Sequence, residues 1–207
     1  MTDPDATAAV EKYRKRAAQY DVRTKQADRF RRLAVEWLAL RRGDAVIDVA
    51  CGTGVNFPLI EERVGPEGRI VGVDVSPEML TEARARTNAE GWENVALVEA
   101  SVEDAHINEL LDAALFSLTH DVLQSEAALE NVFRHLRPGA RVSSFGAKWA
   151  PWSRLPVNAY VWYVARQYVT TFAHFDRPWH LLERFVPDLT VKPLAFGGVY
   201  VAWGALP

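Results

Sequence analysis

The stretch "VIDVACGTGVNFP", residues 46–58, gathers an acid, the only cysteine and two glycines at the end of an apolar run. Three chemistries use such residues: thiol redox work, a loop of backbone N–H groups around a phosphate, or a bend where a ligand touches backbone directly. Cys51 has no activating base or cation beside it in sequence, so its thiol reads as small buried packing. Gly52 and Gly54 admit a backbone approach that a Cβ would block. Asp74 follows Gly54 by twenty residues, at the end of the next β-rich run, where a carboxylate can accept both hydroxyl protons of a ribose. A dinucleotide fingerprint asks for a third glycine at the position of Phe57, and a P-loop asks for Lys-Ser/Thr where the chain has Val55 and Asn56. Both phosphate readings are weakened. An adenosine ligand without a pyrophosphate becomes the attractive one.

A second set lies in "THDVL", residues 119–123, at the end of another β-rich run. His120 is the best general-base candidate, because an unperturbed imidazole titrates near neutrality, and Asp121 could instead pair with a cationic acceptor. The third set is "KWAPWSRLPVNAYVWYVARQYVTTFAHF", residues 148–175, with eight Trp, Tyr and Phe side chains, no acid, and Lys148, Arg154 and Arg166 as its charges. Such a surface could hold an apolar substrate, cage a methylated ammonium, form a subunit interface, or simply pack. Trp149, Tyr168, Thr170, Thr171 and His174 are its candidate substrate contacts.

Composition bounds what these sets can belong to. A chain of 207 residues, 49% hydrophobic and 25% charged, suits one soluble globular domain. One cysteine and five scattered histidines give neither an internal disulfide nor metal-ligand spacing, so no metal is expected. The start has no apolar signal-like region, and the stretch 157–173, broken by Arg166 and Gln167, falls short of a membrane span; the expected location is cytoplasmic. The net charge of -3 divides into +5 over residues 1–42 and -8 over the rest. A basic N-terminal segment can steer anions, lie on an acidic membrane surface, or be a solvated helix face. No basic stripe follows it, so nucleic acid is not expected.

The elements that must position these residues are read from apolar spacing. Two helices precede residue 43, the second placing Phe30, Leu33, Ala34, Trp37 and Leu38 on one face. Short β-rich runs then alternate with helices: "AVIDVA", a helix from about Phe57, "RIVGVDV", "PEMLTEARARTNAEG", "VALVEA", "DAALFSL", "EAALENVFRHL" and "ARVSSFG". Ser76 and Pro77 mark a helix start, and "RPGA" at 137–140 ends a helix and turns into a strand. An aromatic helix reaches about Phe175, and two last strands meet near Gly197 and Gly198 as an antiparallel hairpin. The fold class is α/β: a doubly wound sheet, mostly parallel, with N-terminal helices as a lid. Residues 1–207 form a single domain, with a helical cap at 1–42, a ligand-binding core at 43–150, an aromatic insert at 151–180 over the substrate site, and a terminal strand pair at 181–207.

"VIDVACGTG", "IVGVDVSPEML", "VALVEASVED" and "LRPGARV" resemble, in order and spacing, the successive motifs of class I S-adenosylmethionine-dependent methyltransferases of the small-molecule type, over roughly residues 20–150. The resemblance implies a seven-stranded Rossmann-like sheet with a reversed last hairpin, S-adenosyl-L-methionine as cofactor, and methyl transfer. It places the loop Ala50, Cys51, Gly52 and Gly54 under the methionine and sugar, Asp48 at the amino end, Asp74 on the ribose, and Val75 and Met79 beside the adenine. Ser101 stands where the family often has an acid for the adenine amino group, with Glu103 as its substitute and Val102 cupping the base. Leu118 and Thr119 border the methionine portion, and Tyr20 resembles a lid tyrosine. The acceptor is read as small and hydrophobic or aromatic. A lipid-type acceptor, such as a phospholipid amine or a quinone precursor, is the alternative, and a non-catalytic cofactor-binding sensor or assembly subunit is the alternative from another class. A peripheral membrane contact and a homodimer stay open.

Overall fold

The structure, a computed structural model, describes residues 21, 22 and 24–207. Seven strands form one sheet: β1 (Ala45–Val49), β2 (Arg69–Asp74), β3 (Val95–Glu99), β4 (Leu111–Ser117), β5 (Leu136–Ala147), β6 (Thr190–Leu194) and β7 (Val199–Ala205). They lie in the order β3-β2-β1-β4-β5-β7-β6. The first five are parallel, and β7 runs antiparallel between β5 and β6. Strand order reverses between β1 and β4, which opens a crevice beyond their carboxyl ends. The residues singled out for chemistry at the ends of β1 and β4 therefore sit at that crevice.

Among the described residues six α-helices cover the two faces: α1 (Asp28–Trp37), α2 (Phe57–Val64), α3 (Pro77–Glu90), α4 (His120–Leu123), α5 (Glu126–Phe133) and α6 (Leu155–Ala165). Side chains alternate across β1: Val46 joins a core with Phe30 and Leu38 of α1 and its C-cap, Ile60 of α2 and Leu80 of α3. Ile47 and Val49 face the other way, against Leu129 and Val132 of α5 and against Leu182 and Val186. A sheet buried on both faces explains the continuous apolar runs of β1 and β4. Ser76 caps α3 by accepting from Met79 N–H at 3.3 Å, and Gly91 ends it in the left-handed region.

Three sequence expectations are corrected in their bounds. "RPGA" does not precede β5 but bulges within it: Leu136 pairs with Leu111 and Arg141 with Ala113, so residues 137–140 loop out around Gly139 (φ +75). The helix before it ends at Phe133 rather than Leu136. The aromatic helix stops at Ala165, ten residues short of Phe175, where the β-branched run Val169, Thr170, Thr171 disfavours its continuation. Pro193 lies in β6, at the sheet edge, where a residue without an N–H is tolerated. The first of the two N-terminal helices lies outside the described residues.

Candidate active site

After β1 the chain turns sharply, with Ala50, Gly52 and Gly54 all at positive φ (50°, 57° and 69°). Two contacts explain why the glycines are needed. A Cβ on Gly54 would stand 2.6 Å from two ring carbons of Phe57. Phe57 is fully buried at the start of α2, and its far edge packs against Gly72 of β2, where a Cβ would stand 2.7 Å from the ring. The ring thus fills the space that a dinucleotide loop keeps open with its third glycine. Gly54→Ala is expected to destabilise the protein by about 2–4 kcal/mol, seen as a lowered Tm, and Phe57→Leu in the same chain to recover part of it. An unchanged Tm in Gly54→Ala would contradict this packing.

Asp74 staples the loop from beneath. Its Oδ2 accepts from Gly52 N–H at 2.8 Å and its Oδ1 from Ser76 N–H at 2.8 Å, so one carboxylate fixes the glycine loop and the start of α3 together. Burial raises its pKa against the pull of those N–H groups. Met79 is buried under Gly52, its sulfur 4.0 Å from the position a Cβ there would take. Val75 continues from Asp74 half-buried. The Cys51 side chain packs under the loop, and burial pushes its thiol well above the usual range. Only the backbone of Cys51 is left to meet a ligand.

Asp48 is fully buried at the end of β1. Asn56 donates its amide to both oxygens, at 3.1 and 3.0 Å, yet burial still lifts the carboxyl from 3.8 to about 7. The charge of Arg31 on α1 opposes that rise. Arg31 is itself 2% exposed; it donates to Thr24 O at 3.0 Å, Thr24 Oγ1 at 2.8 Å and Asp28 at 2.6 Å, and its Nε has no hydrogen-bond partner. A buried acid and a buried guanidinium with an unsatisfied donor are matched in charge to a zwitterion. Sequence reading missed Arg31 and Asn56. A further connection ties the N-terminal segment to the loop: Asp21 accepts from Thr53 Oγ1 at 2.5 Å and pairs with Arg86 of α3, whose Nε donates to Thr53 O at 3.1 Å. Tyr20 lies outside the described residues.

The residues after β3 are engaged locally. Ser101 donates to Asp104 Oδ2 at 2.8 Å and accepts from Asp104 N–H. Glu103 accepts from Ser125, the cap of α5, at 2.7 Å, and the carbonyl of Val102 accepts from Asn131 at 2.8 Å. These bonds hold both side chains toward the protein and leave each with a further lone pair to accept from a ligand.

Beyond β4, Leu118 takes φ +61, and α4 begins at His120. Leu118 and His120 border a cavity of about 500 Å³. Its walls come from Phe30 of α1, Phe145 at the end of β5, Val161 and Val164 of α6, Phe175, and Val199 of β7. Tyr160, Tyr168 and Tyr200 add polar tips; burial pushes the Tyr200 phenol up, and its oxygen lies 3.1 Å from Ser144 Oγ. Burial lowers the His120 imidazole to about 4 against the opposing charge of Asp121, so the ring is neutral at pH 7. Neither ring nitrogen makes a hydrogen bond of ordinary geometry, and Thr119 Oγ1 is likewise buried and unpartnered. Asp121 Oδ2 accepts from Thr170 N–H at 2.8 Å and Thr170 Oγ1 at 2.7 Å.

Of the five substrate contacts expected from the insert, Tyr168 lines the cavity and the others do not. Trp149 is stacked on Phe172 at 5.4 Å and tilted against Phe175 at 5.0 Å. Thr171 is buried and accepts from Ala173 N–H at 3.1 Å. His174 is exposed and stacks on His180 at 4.1 Å. Among the described residues no group of three or more His, Cys, Asp or Glu is placed to hold a metal. None of their helices is long and apolar enough to cross a membrane.

A seven-stranded sheet with a reversed last pair and a glycine loop and acid at the strand-order switch define a Rossmann-like domain of the class I methyltransferase type. Residues 46–139 match the family model described as "Methyltransferase domain". Curated relatives match as well. One, from Streptomyces fradiae, is described as an uncharacterized 37.1 kDa protein in transposon TN4556, 35% identical over 58% of this chain and 34% of its own length. Another is the chloroplastic 2-phytyl-1,4-beta-naphthoquinone methyltransferase of Arabidopsis thaliana, 30% identical over 80% of this chain and 59% of its own length. The chain therefore spans between about a third and three-fifths of these relatives. In fold it is similar to the N-methyltransferase NodS of Bradyrhizobium japonicum in complex with S-adenosyl-L-homocysteine, with a TM-score of 0.70, 15% identity, and coverage of 98% of this chain and 100% of that one.

Proposed function

We propose that this chain transfers a methyl group from S-adenosyl-L-methionine to a small, hydrophobic or aromatic acceptor held in the cavity beside His120. The observation that carries the reading is the adjacency of two unlike sites: the polar glycine loop after β1 and, after the neighbouring strand β4, the apolar cavity bordered by Leu118 and His120. The cofactor, when bound, supplies a methyl group on a sulfonium leaving group. Asp48 and Arg31 would hold the amino and carboxylate ends of its methionine portion, which answers the buried acid and the unsatisfied guanidinium donor. Asp74 keeps lone pairs beyond those used by Gly52 and Ser76, and these would take the ribose hydroxyls. Val75, Met79 and the backbone near Val102 would flank the adenine.

The residues facing the acceptor act by exclusion and orientation. The apolar walls keep water from a reacting nucleophile, and the neutral His120 offers one N–H and one lone pair to a hydroxyl or carbonyl at the acceptor's polar end. An imidazole at about 4 is a weak proton acceptor at pH 7, so His120 serves by hydrogen bonding more than by full proton removal. Asp121 is a positioning residue that ties the segment after α6 to α4 through Thr170.

The acceptor printed for the Arabidopsis relative, a phytyl naphthoquinone, is an apolar aromatic, and it supports the quinone-type alternative as the first acceptor to try. Incubation with methyl-labelled cofactor should put label into a reduced naphthoquinone and none into glycine. Val164→Trp, which narrows the cavity, should lower that transfer roughly tenfold or more while leaving cofactor affinity intact. Cofactor binding with no transfer to any apolar acceptor would overturn the proposal and make the chain a sensor or assembly subunit.

A further inference from the structure

We infer that the outer face of α6, together with the turn at Phe196, docks onto an anionic membrane surface. The inference stands on that face alone and not on the proposed acceptor. α6, "LPVNAYVWYVA", carries no charge; the Tyr160 hydroxyl donates to Gln26 at 3.3 Å, and both amide atoms of Asn158 are turned back onto Ala150, at 2.8 Å to the N–H and 3.2 Å to the carbonyl. Inward, Val161 and Ala165 are buried with Phe175. Outward there is no solvating face: Leu155, Tyr160, Trp162 and Tyr163 are all exposed. A helix apolar all round is ordinarily covered on every side, and this one is not.

Two more rings extend the surface. Trp152, just before α6, is 86% exposed, and Phe196 is 75% exposed on the turn between β6 and β7. Phe196 is held at φ +57 between Ala195 and Gly197, also at positive φ, a conformation that a bulky residue adopts at some cost. The charges of the patch have one sign. Arg166 lies over the rings of Trp162 and Tyr163, at 4.5 and 5.0 Å, and Arg154 over Phe196 at 5.7 Å. No Asp or Glu occurs from residue 148 to 175.

Exposed Trp and Tyr with stacked Arg and no acid match a lipid headgroup layer, where amphipathic rings sit at the boundary and cations meet phosphate. Tyr160, more than half exposed, also lines the cavity, so the cavity wall reaches the surface on this face.

Flotation with vesicles of equal parts phosphatidylcholine and phosphatidylserine tests the inference without cofactor or acceptor. The protein should float with these vesicles at low salt, bind pure phosphatidylcholine weakly, and be released as salt is raised. Trp152→Ser with Trp162→Ser, and separately Arg154→Gln with Arg166→Gln, should each weaken binding roughly tenfold or more with the circular dichroism spectrum and Tm unchanged. Because all four side chains are exposed, these variants are expected to fold. No flotation with acidic vesicles at low salt, or flotation that both pairs leave unchanged, would overturn it. So would a dimer in sedimentation equilibrium that the Trp pair converts to monomer in a protein that does not float, because a second copy would then occupy the face.

Discussion

Asp74→Ala should lower affinity for S-adenosyl-L-homocysteine by roughly 100-fold or more, the loss of at least about 3 kcal/mol of hydrogen bonding. Two effects combine. The substitution removes the charged acceptor proposed for the ribose hydroxyls, and it leaves the N–H groups of Gly52 and Ser76 without their partner, so the loop is no longer pinned to the start of α3. Asp74→Asn separates the effects, because its amide oxygen can still accept from one of the N–H groups while the negative charge is gone. Calorimetric titration should order the affinities as wild type, then Asn, then Ala. Equal affinity in all three would mean that the ligand does not use this end of β2.

Asp48→Asn should act in opposite directions on stability and on binding. A carboxyl raised from 3.8 to about 7 by burial keeps its proton in the folded protein under conditions where the unfolded chain has released it. Stability from this group is therefore fullest below about pH 4, falls as pH rises toward 7, and is level above that. The ionised form costs up to roughly 4 kcal/mol, so the ligand-free Asn variant should melt higher than wild type at pH 8 and no higher at pH 4. Its affinity for the cofactor should fall by about tenfold to 100-fold, because an amide cannot pair with an ammonium as a carboxylate does. Binding to wild type at pH 7 should also release protons from Asp48, measurable as a dependence of the heat on the buffer's ionisation enthalpy. A variant that melts lower at pH 8 and binds as tightly as wild type would remove Asp48 from the proposed site.

The sheet and the glycine loop were legible in sequence because both are written in short-range pattern. Apolar runs of strand length punctuated by Ser76, Pro77 and Gly91 leave few choices of register, and two glycines followed at a fixed interval by an acid have one spatial meaning at a strand-order switch. Phe57 was legible as an obstacle to a dinucleotide loop, and its ring between Gly54 and Gly72 is the steric form of that obstacle.

What pattern could not supply was which of several like residues faces inward. Arg29, Arg31 and Arg32 form one basic cluster in the sequence, and only the packing of α1 shows that Arg31 is the buried one. Asn56 carries no signal until β1 and the start of α2 bring it under Asp48, and Asp21 and Arg86 meet across 65 residues. Local bonding is equally invisible in pattern: Ser101 and Glu103 occupy motif positions, and Asp104 and Ser125 engage their side chains. In the aromatic insert, equal-looking rings divide between cavity wall, as for Tyr168, and internal stacking, as for Trp149.

Recognition of S-adenosyl-L-methionine by the glycine loop is the central claim, and calorimetric titration of the purified chain with S-adenosyl-L-homocysteine and, separately, with NAD tests it most directly. It predicts saturable one-to-one binding of S-adenosyl-L-homocysteine, lost in Asp74→Ala, and no binding of NAD. Saturable binding of NAD, or no binding of S-adenosyl-L-homocysteine by the wild-type chain, would contradict it.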